Sequence, residues 1–114
     1  MEEPTSLVLR EECRQDNVIV AFEGELDTVS ERHLNGLVTR LLGKEARRVL
    51  FDLSGVQFLD TAGIRGLISA QRRLFLAGRA FGLVGVPQVV QNVFSVTGLQ
   101  DHFVLYDTVE EALV

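Results

Sequence analysis

The residue of this chain whose position best suits regulated chemistry is Thr61, which follows Asp60 and precedes an apolar run at helical spacing. Ile64, Leu67 and Ile68 carry that spacing, so the pattern places Asp60 and Thr61 at the N-terminus of a helix. Unpaired N–H groups and the positive end of the helix dipole favour negative charge there. Both features would stabilise a phosphate on Thr61, although the local sequence alone favours the simpler interpretation that Asp60 or Thr61 is an N-cap.

Other catalytic or ligand-binding chemistry is poorly supported by the residue spacing. His33 and His102 are not spaced with cysteine or carboxylate residues as metal ligands are, so no metal site is expected. Gly63 and Gly66 lack the spacing and the following lysine of a phosphate-binding loop. Thr61 has no base nearby in sequence that would activate it as a nucleophile. We therefore expect no catalytic residues, no cofactor and no small-molecule substrate.

A second phosphorylation chemistry, the acyl phosphate of a response-regulator receiver domain, is an alternative at Asp52, which lies at the end of a predicted buried strand. That chemistry requires a carboxylate pair at the end of the first strand to bind magnesium. Glu11 and Glu12 instead enter a predicted hairpin, and the single lysine, Lys44, precedes the third strand rather than following a late one. Asp52 is therefore interpreted as a turn residue at the end of its strand.

Composition and charge limit the classes of protein that fit. The chain has 114 residues, 46% hydrophobic and 24% charged, which is typical of one soluble globular domain, here spanning residues 1–114. The formal net charge of −5 argues against nonspecific binding to nucleic acid or anionic membranes, and Arg72, Arg73 and Arg79 are expected on a solvated helix face. The chain shows no apolar run of membrane-spanning length and no secretory signal. The single cysteine, Cys13, is consistent with a reducing, cytoplasmic location.

Apolar patterning and turn residues predict strands that alternate with helices after an opening hairpin. This order is typical of an α/β fold with a mixed, mostly parallel sheet of about five strands and about four helices. The predicted strands cover residues 7–10, 18–23, 48–53, 80–84 and 103–106, with a polar turn at residues 54–55. The predicted helices begin at Thr28, Thr61, Pro87 and Thr108, and the first three end near Gly43, Gly78 and Gly98.

Capping-box spacing supports two of these helix starts. Thr28 is followed three residues later by Glu31, and Thr108 is followed three residues later by Glu111. A hydroxyl and a carboxylate at this spacing can satisfy two of the N–H groups that a helix leaves unpaired at its N-terminus. The sequence therefore predicts Thr28 and Thr108 as N-caps.

Three short motifs occur in the order that is found in one known family. Residues 60–64 (DTAGI) fit a phosphorylation loop in which Asp-Ser/Thr-x-Gly-hydrophobic follows a strand and a polar turn and opens a helix. Residues 24–27 (GELD) are similar to that family's Gly-Glu-hydrophobic-Asp motif before its first helix. Residues 96–99 (VTGL), followed by Phe103, are similar to its late-helix exit into the last strand. Over nearly its whole length, the chain thus resembles the anti-sigma factor antagonists, which are STAS-domain proteins.

The resemblance implies a partner-switching regulator of transcription that is not an enzyme. In that family the unphosphorylated antagonist binds an anti-sigma factor that is also a Ser/Thr kinase, and this binding frees the sigma factor. The kinase phosphorylates the antagonist on the hydroxyl residue at the helix start, and a phosphatase reverses the modification. Some members of the wider family are never phosphorylated and act as scaffolds, so a non-phosphorylated interaction module is the alternative.

The resemblance also assigns roles to individual residues. It implies that Thr61 is phosphorylated and that Asp27 and Asp60 flank it, where they orient its hydroxyl or contact the partner. The further docking residues, expected on the exposed first turns of the same helix, are Gly63, Ile64 and Arg65. Thr61 stands where relatives often have serine, and Arg65 stands where many have a small residue. Arg65 would either neutralise part of a phosphate's charge or pair with an acidic partner.

Overall fold

Five strands and four helices follow one another along residues 7–114, the part of the chain that the computed structural model describes. The strands are β1 (Leu7–Arg14), β2 (Asn17–Leu26), β3 (Arg48–Leu59), β4 (Ala80–Val84) and β5 (Leu105–Tyr106). The helices are α1 (Thr28–Leu42), α2 (Thr61–Leu76), α3 (Gln88–Val96) and α4 (Val109–Leu113).

The strands form one mixed sheet in the spatial order β1-β2-β3-β4-β5. Strand β1 pairs antiparallel with β2, whereas β3, β4 and β5 each add in parallel to the strand before them. The hairpin between β1 and β2 turns at Gln15, whose φ of 55° is in the left-handed region. The α/β fold class predicted from the sequence, with its mixed and mostly parallel sheet, is confirmed.

Strand β3 differs most from its prediction. It continues to Leu59, so the polar turn predicted at residues 54–55 is wrong. Ser54 and Gly55 lie within the strand, beside a register shift in its pairing with β2. A Cβ atom on Gly55 would lie 2.7 Å from the carbonyl oxygen of Phe22. The glycine therefore permits a close approach of two strand backbones instead of ending the strand, a use of glycine that the sequence pattern does not separate from a turn.

Helices α1, α2 and α3 pack on one face of the sheet, and α4 packs on the other. The larger core cluster joins Phe22 and Phe51 of the sheet to Leu34 of α1, Leu67 of α2 and Phe94 of α3. The smaller cluster on the opposite face consists of Ile19, Leu50, Val84 and Ala112. Neighbouring residues of one strand enter different clusters because side chains alternate between the faces of a sheet. Because helices cover both faces of the sheet, the central strands are buried on both sides and are almost continuously apolar.

Two arginine side chains, one in the last turn of α2 and one just after it, hold α1 beside α2. Arg73 donates hydrogen bonds to the carbonyl oxygen of Asn35 at 3.1 Å and to the hydroxyl of Thr39 at 2.7 Å. Arg79 donates to the carbonyl oxygens of the last two residues of α1, at 3.3 and 3.1 Å, where a helix lacks its own donors. Arg72 is exposed as expected, but the expectation of a solvated face is wrong for Arg73 and Arg79.

The later helix starts agree with the sequence to within one residue. Pro87 has extended backbone angles (φ −66°, ψ 157°) and is the N-cap of α3 rather than its first helical residue. The Thr108 hydroxyl accepts a hydrogen bond from the N–H of Glu111 at 3.1 Å, as its capping box predicts. The Glu111 carboxylate accepts from the N–H of Asp107 at 3.0 Å rather than from that of Thr108. Gly98, with φ +75°, follows the C-cap of α3.

Candidate functional site

Two helices begin side by side at one edge of the sheet. Strands β2 and β3 are parallel, and their last residues, Leu26 and Leu59, are paired in register. The N–H of Asp60 donates to the carbonyl oxygen of Leu26 at 3.2 Å, which ties the two strand ends together. Asp27 and Asp60 are the residues that follow these ends, and each is the N-cap of a helix. The structure therefore brings Asp27 and Asp60 to the same edge, as expected.

Asp27 caps α1 through one oxygen of its carboxylate and through its own N–H. Its carboxylate accepts hydrogen bonds from the N–H groups of Val29 and Ser30, both at 3.1 Å, and the Ser30 hydroxyl accepts from the N–H of Asp27 at 2.6 Å. The capping box therefore consists of Asp27 and Ser30, and the prediction of Thr28 and Glu31 is wrong by one residue. Sequence spacing misplaced it because Asp and Thr both cap well and Ser30 can replace the acidic member.

Replacing Asp27 will separate its structural role from its charge. Asp27→Ala removes the acceptor for two N–H groups, so we expect the free energy of unfolding to fall by about 1 kcal/mol. Asp27→Asn retains an acceptor oxygen and is the matched control, expected to lose at most a few tenths of a kcal/mol. Urea denaturation measures the free energy of unfolding of both variants, provided that the m-value is unchanged. Equal losses in the two variants would show that the carboxylate charge, and not the cap geometry, stabilises α1.

Thr61 is the first helical residue of α2 and is exposed. The capping role belongs to Asp60, whose carboxylate accepts a hydrogen bond from the N–H of Gly63 at 3.0 Å. Within residues 7–114, the Thr61 hydroxyl has no hydrogen-bond partner. Asp60 is therefore the N-cap of α2, and the hydroxyl of the neighbouring Thr61 is left unpaired. Neither Asp27 nor Asp60 orients that hydroxyl by a hydrogen bond.

The expectation that Gly63 and Ile64 are exposed is wrong. Both are buried, and 8% of Ile64 is accessible, because this side of α2 packs onto the ends of β2 and β3. A Cβ atom on Gly63 would lie 2.3 Å from the carbonyl oxygen of Leu26 and 2.7 Å from a methyl group of Leu59. Gly63 is therefore required for α2 to begin where it does. This glycine of the DTAGI motif allows α2 to pack closely against β2 and β3, and that packing fixes the position of Thr61.

Arg65 is exposed, as expected, and forms an ion pair with Glu31 in the first turn of α1, with 3.3 Å between Nη2 and Oε2. This contact links the first turns of the two adjoining helices. The sequence analysis assigned Glu31 to a capping box and missed this pairing. The signal that could have found it is the opposite charge of two residues that both lie early in helices following adjacent parallel strands.

Exposed apolar side chains flank the helix starts along the chain. Val29, in the first turn of α1, is 39% exposed, and Phe58, near the end of β3, is 47% exposed. We call the set Val29, Glu31, Thr61 and Arg65, all in the first turns of α1 and α2, the helix-start surface. It combines the Thr61 hydroxyl, an ion pair and the partly exposed apolar side chain of Val29, a mixture that suits a protein partner better than a small ligand.

The rest of the described chain offers little alternative chemistry. Asp52 lies within β3, not at its end, and its carboxylate accepts hydrogen bonds from the N–H and hydroxyl of Ser54 at 3.0 and 2.7 Å. Lys44, which a receiver domain would need near that carboxylate, is paired with Glu11 of β1. Across residues 7–114, no three His, Cys, Asp or Glu side chains are grouped as metal ligands. Over the same residues, no helix combines the length and apolar character needed to cross a membrane.

The fold and the paired helix starts define the class of protein. The STAS domain family model matches residues 9–112, and the chain belongs to the STAS domain family. The relatives described next align with this chain along nearly their whole length.

Several of these relatives are anti-sigma factor antagonists. Anti-sigma-F factor antagonist RsfB of Mycobacterium tuberculosis is 23% identical over 113 residues, which cover 99% of this chain and 92% of the relative. The crystal structure of an anti-sigma factor antagonist from Mycobacterium paratuberculosis has a TM-score of 0.83 at 26% identity, covering 99% and 96% of the two chains. The anti-sigma factor antagonist SpoIIAA has the same fold in its unphosphorylated form (TM-score 0.77, 20% identity, 93% of each chain). A phosphorylated Bacillus SpoIIAA is also similar (TM-score 0.72, 18% identity, 93% and 96% covered).

Proposed function

We propose that this chain is a cytoplasmic anti-sigma factor antagonist, controlled as a partner switch by phosphorylation of Thr61. The observation that carries the proposal is the exposed, unpaired Thr61 hydroxyl at the first residue of α2, next to an Asp60 that already supplies the cap. Relatives named as anti-sigma factor antagonists support the class of partner. SpoIIAA, known in unphosphorylated and phosphorylated forms, supports the idea that this fold accepts a phosphate.

The proposed partner is an anti-sigma factor with kinase activity, which binds the helix-start surface while Thr61 is unmodified. Binding of the antagonist would free the sigma factor. The kinase then supplies the catalytic groups for transfer to Thr61, and a phosphatase removes the phosphate. This chain contributes only the acceptor hydroxyl and the docking surface, so it acts as a regulator and not as an enzyme.

Phosphorylation would change the charge of this surface more than its shape. A phosphothreonine carries about −1.5 to −2 charge at neutral pH. The first turn of α2 stabilises that charge in the free protein through its N–H groups and dipole. A partner surface that fits a neutral hydroxyl would offer the phosphate no positive charge of its own, and Asp27 and Asp60 add negative charge nearby. Association is therefore opposed while the fold is retained.

We predict that the cognate kinase modifies Thr61 and not Ser54 or Thr97. The Ser54 hydroxyl donates to Asp52 at 2.7 Å, and the Thr97 hydroxyl donates to the carbonyl of Val93 at 2.7 Å, at a helix C-terminus where negative charge is disfavoured. Mass spectrometry after incubation with the kinase and ATP should locate one phosphate on Thr61. Ser54→Ala is the matched control and should be labelled like the unmodified sequence. Labelling that persists in Thr61→Ala would contradict the assignment.

Affinity capture from the native cell tests the class of partner. The protein with Thr61 intact should recover a small ATP-binding kinase that Thr61→Glu does not recover. Recovery of the same proteins by both forms, with no phosphate on Thr61 under any growth condition, would instead support a non-phosphorylated interaction module. A hydroxylamine-labile phosphate on Asp52 would support the receiver alternative.

A further inference from the structure

The ion pair between Arg65 and Glu31 differs from the contacts that Arg73 of α2 and Arg79, just after α2, make with α1. Arg73 and Arg79 donate to backbone carbonyl oxygens of α1, which cannot move away without distorting the helix. Arg65 and Glu31 meet through one 3.3 Å contact between two flexible side chains that are 60% and 28% exposed. Exposed ion pairs of this kind are weak. The Arg65 contact is therefore the exchangeable one.

Arg65 is also placed to reach a group attached to Thr61. The two residues are four apart on α2, so their Cβ atoms are neighbours on the helix surface, about 5–6 Å apart. Side chains of a helix lean toward its N-terminus, which directs the Arg65 guanidinium to the turn that carries Thr61. A phosphate would offer this guanidinium three oxygen acceptors and more charge than the single carboxylate of Glu31.

We propose that Arg65 exchanges Glu31 for the phosphate when Thr61 is phosphorylated, so that phosphorylation also releases the Glu31 carboxylate into the helix-start surface. This inference rests on the proposed phosphorylation of Thr61. The exchange carries the effect of the modification from α2 to the first turn of α1. A partner that contacts both helix starts would then meet a phosphate that is partly neutralised and a carboxylate that is newly unpaired.

Glu31 determines how favourably Arg65 binds the phosphate, because the Glu31 carboxylate competes with the phosphate for the Arg65 guanidinium. The charged residues at and just before these two helix starts are Glu25, Asp27, Glu31, Arg32, Asp60 and Arg65. Glu25 and Arg32 are present in every variant compared. Asp27 and Asp60 are engaged by N–H groups of their own helices and raise the pKa of a nearby phosphate equally in every variant at positions 31 and 65. Differences among such variants therefore report the Arg65–phosphate contact.

The test uses protein in which phosphothreonine is incorporated at position 61 during translation, so no kinase is needed. Titration followed by ³¹P nuclear magnetic resonance gives the second pKa of the phosphate. We expect Arg65→Gln to raise this pKa by about half a unit, because the contact favours the dianion. Arg72→Gln, the matched control further along α2, should leave it unchanged. Glu31→Gln should lower the pKa, and the lowering should shrink when Arg65→Gln is also present.

Two results would overturn the exchange. One is a phosphate pKa in Arg65→Gln equal to that in Arg72→Gln, which would show that Arg65 does not bind the phosphate. The other is a Glu31→Gln effect of the same size with and without Arg65, which would show simple charge repulsion and no competition. Either result leaves kinase modification of Thr61 untouched, and failure of a kinase to modify Thr61 leaves this titration valid. The two proposals therefore fail separately.

Discussion

Phosphorylation of Thr61 will weaken binding of the anti-sigma factor at least tenfold while changing the free energy of unfolding by less than about 1 kcal/mol. The fold tolerates the phosphate because Thr61 is the first residue of α2, where N–H groups and the helix dipole favour negative charge. Binding is lost because the same charge lies within the helix-start surface and must be desolvated in the complex. Titration calorimetry and thermal unfolding on each form measure the two effects.

Substitutions at Thr61 separate the effect of negative charge on binding from any contribution of Thr61 to the cap of α2. Thr61→Ala should bind normally and lose little stability, because the cap of α2 is the carboxylate of Asp60, which accepts from Gly63 at 3.0 Å. Thr61→Glu should weaken binding less than the phosphate does, since its single charge is on a longer arm. If phosphorylated protein binds the kinase as tightly as the unmodified form, charge is not the switch. If Thr61→Ala loses binding, the hydroxyl itself is a contact.

The sequence alone placed Thr61 correctly at the start of α2 because local patterns determine that position. Apolar residues at helical spacing after Asp60 mark the start of α2, although they do not decide whether Asp60 or Thr61 is its cap. The order of strands and helices was equally predictable, since every crossover carries a clear periodic helix. Strand β4 has the predicted bounds of residues 80–84. These features depend on residues that are close in sequence.

What the sequence did not reveal depends on contacts between distant residues. The burial of Gly63 follows from the carbonyl of Leu26, and the partner of Arg65 is Glu31, which is 34 positions away. No periodicity within one helix indicates either contact. The length of β3 was underestimated for a related reason, because Gly55 is explained by the approach of the neighbouring strand. A motif thus locates a site, while packing decides which of its residues face a partner.

Gly63→Ala should be the most destabilising single-methyl change near the site. Its added Cβ would lie 2.3 Å from the Leu26 carbonyl oxygen, a backbone atom that itself accepts a hydrogen bond from Asp60. Relief requires that the start of α2 shift away from β2 and β3, so we expect a loss of about 2–3 kcal/mol in the free energy of unfolding. Urea denaturation measures the loss, and binding of the anti-sigma factor should fall with it because Thr61 moves with the helix.

Two other glycine-to-alanine variants make this prediction specific to the backbone contact. In Gly36→Ala, in the middle of α1, no atom lies within 4 Å of the new Cβ, so higher helix propensity should stabilise the protein by about 0.5–1 kcal/mol. In Gly66→Ala the new Cβ meets the end of the Leu34 side chain at 2.8 Å, which can rotate, so the loss should be smaller than at Gly63. If Gly63→Ala does not fold, the stabilities of Gly66→Ala and Gly36→Ala still show whether a Cβ that meets another side chain costs more than one that meets nothing. Stability of Gly63→Ala equal to that of Gly36→Ala would show that α2 can begin elsewhere, and that Gly63 does not hold Thr61 in place.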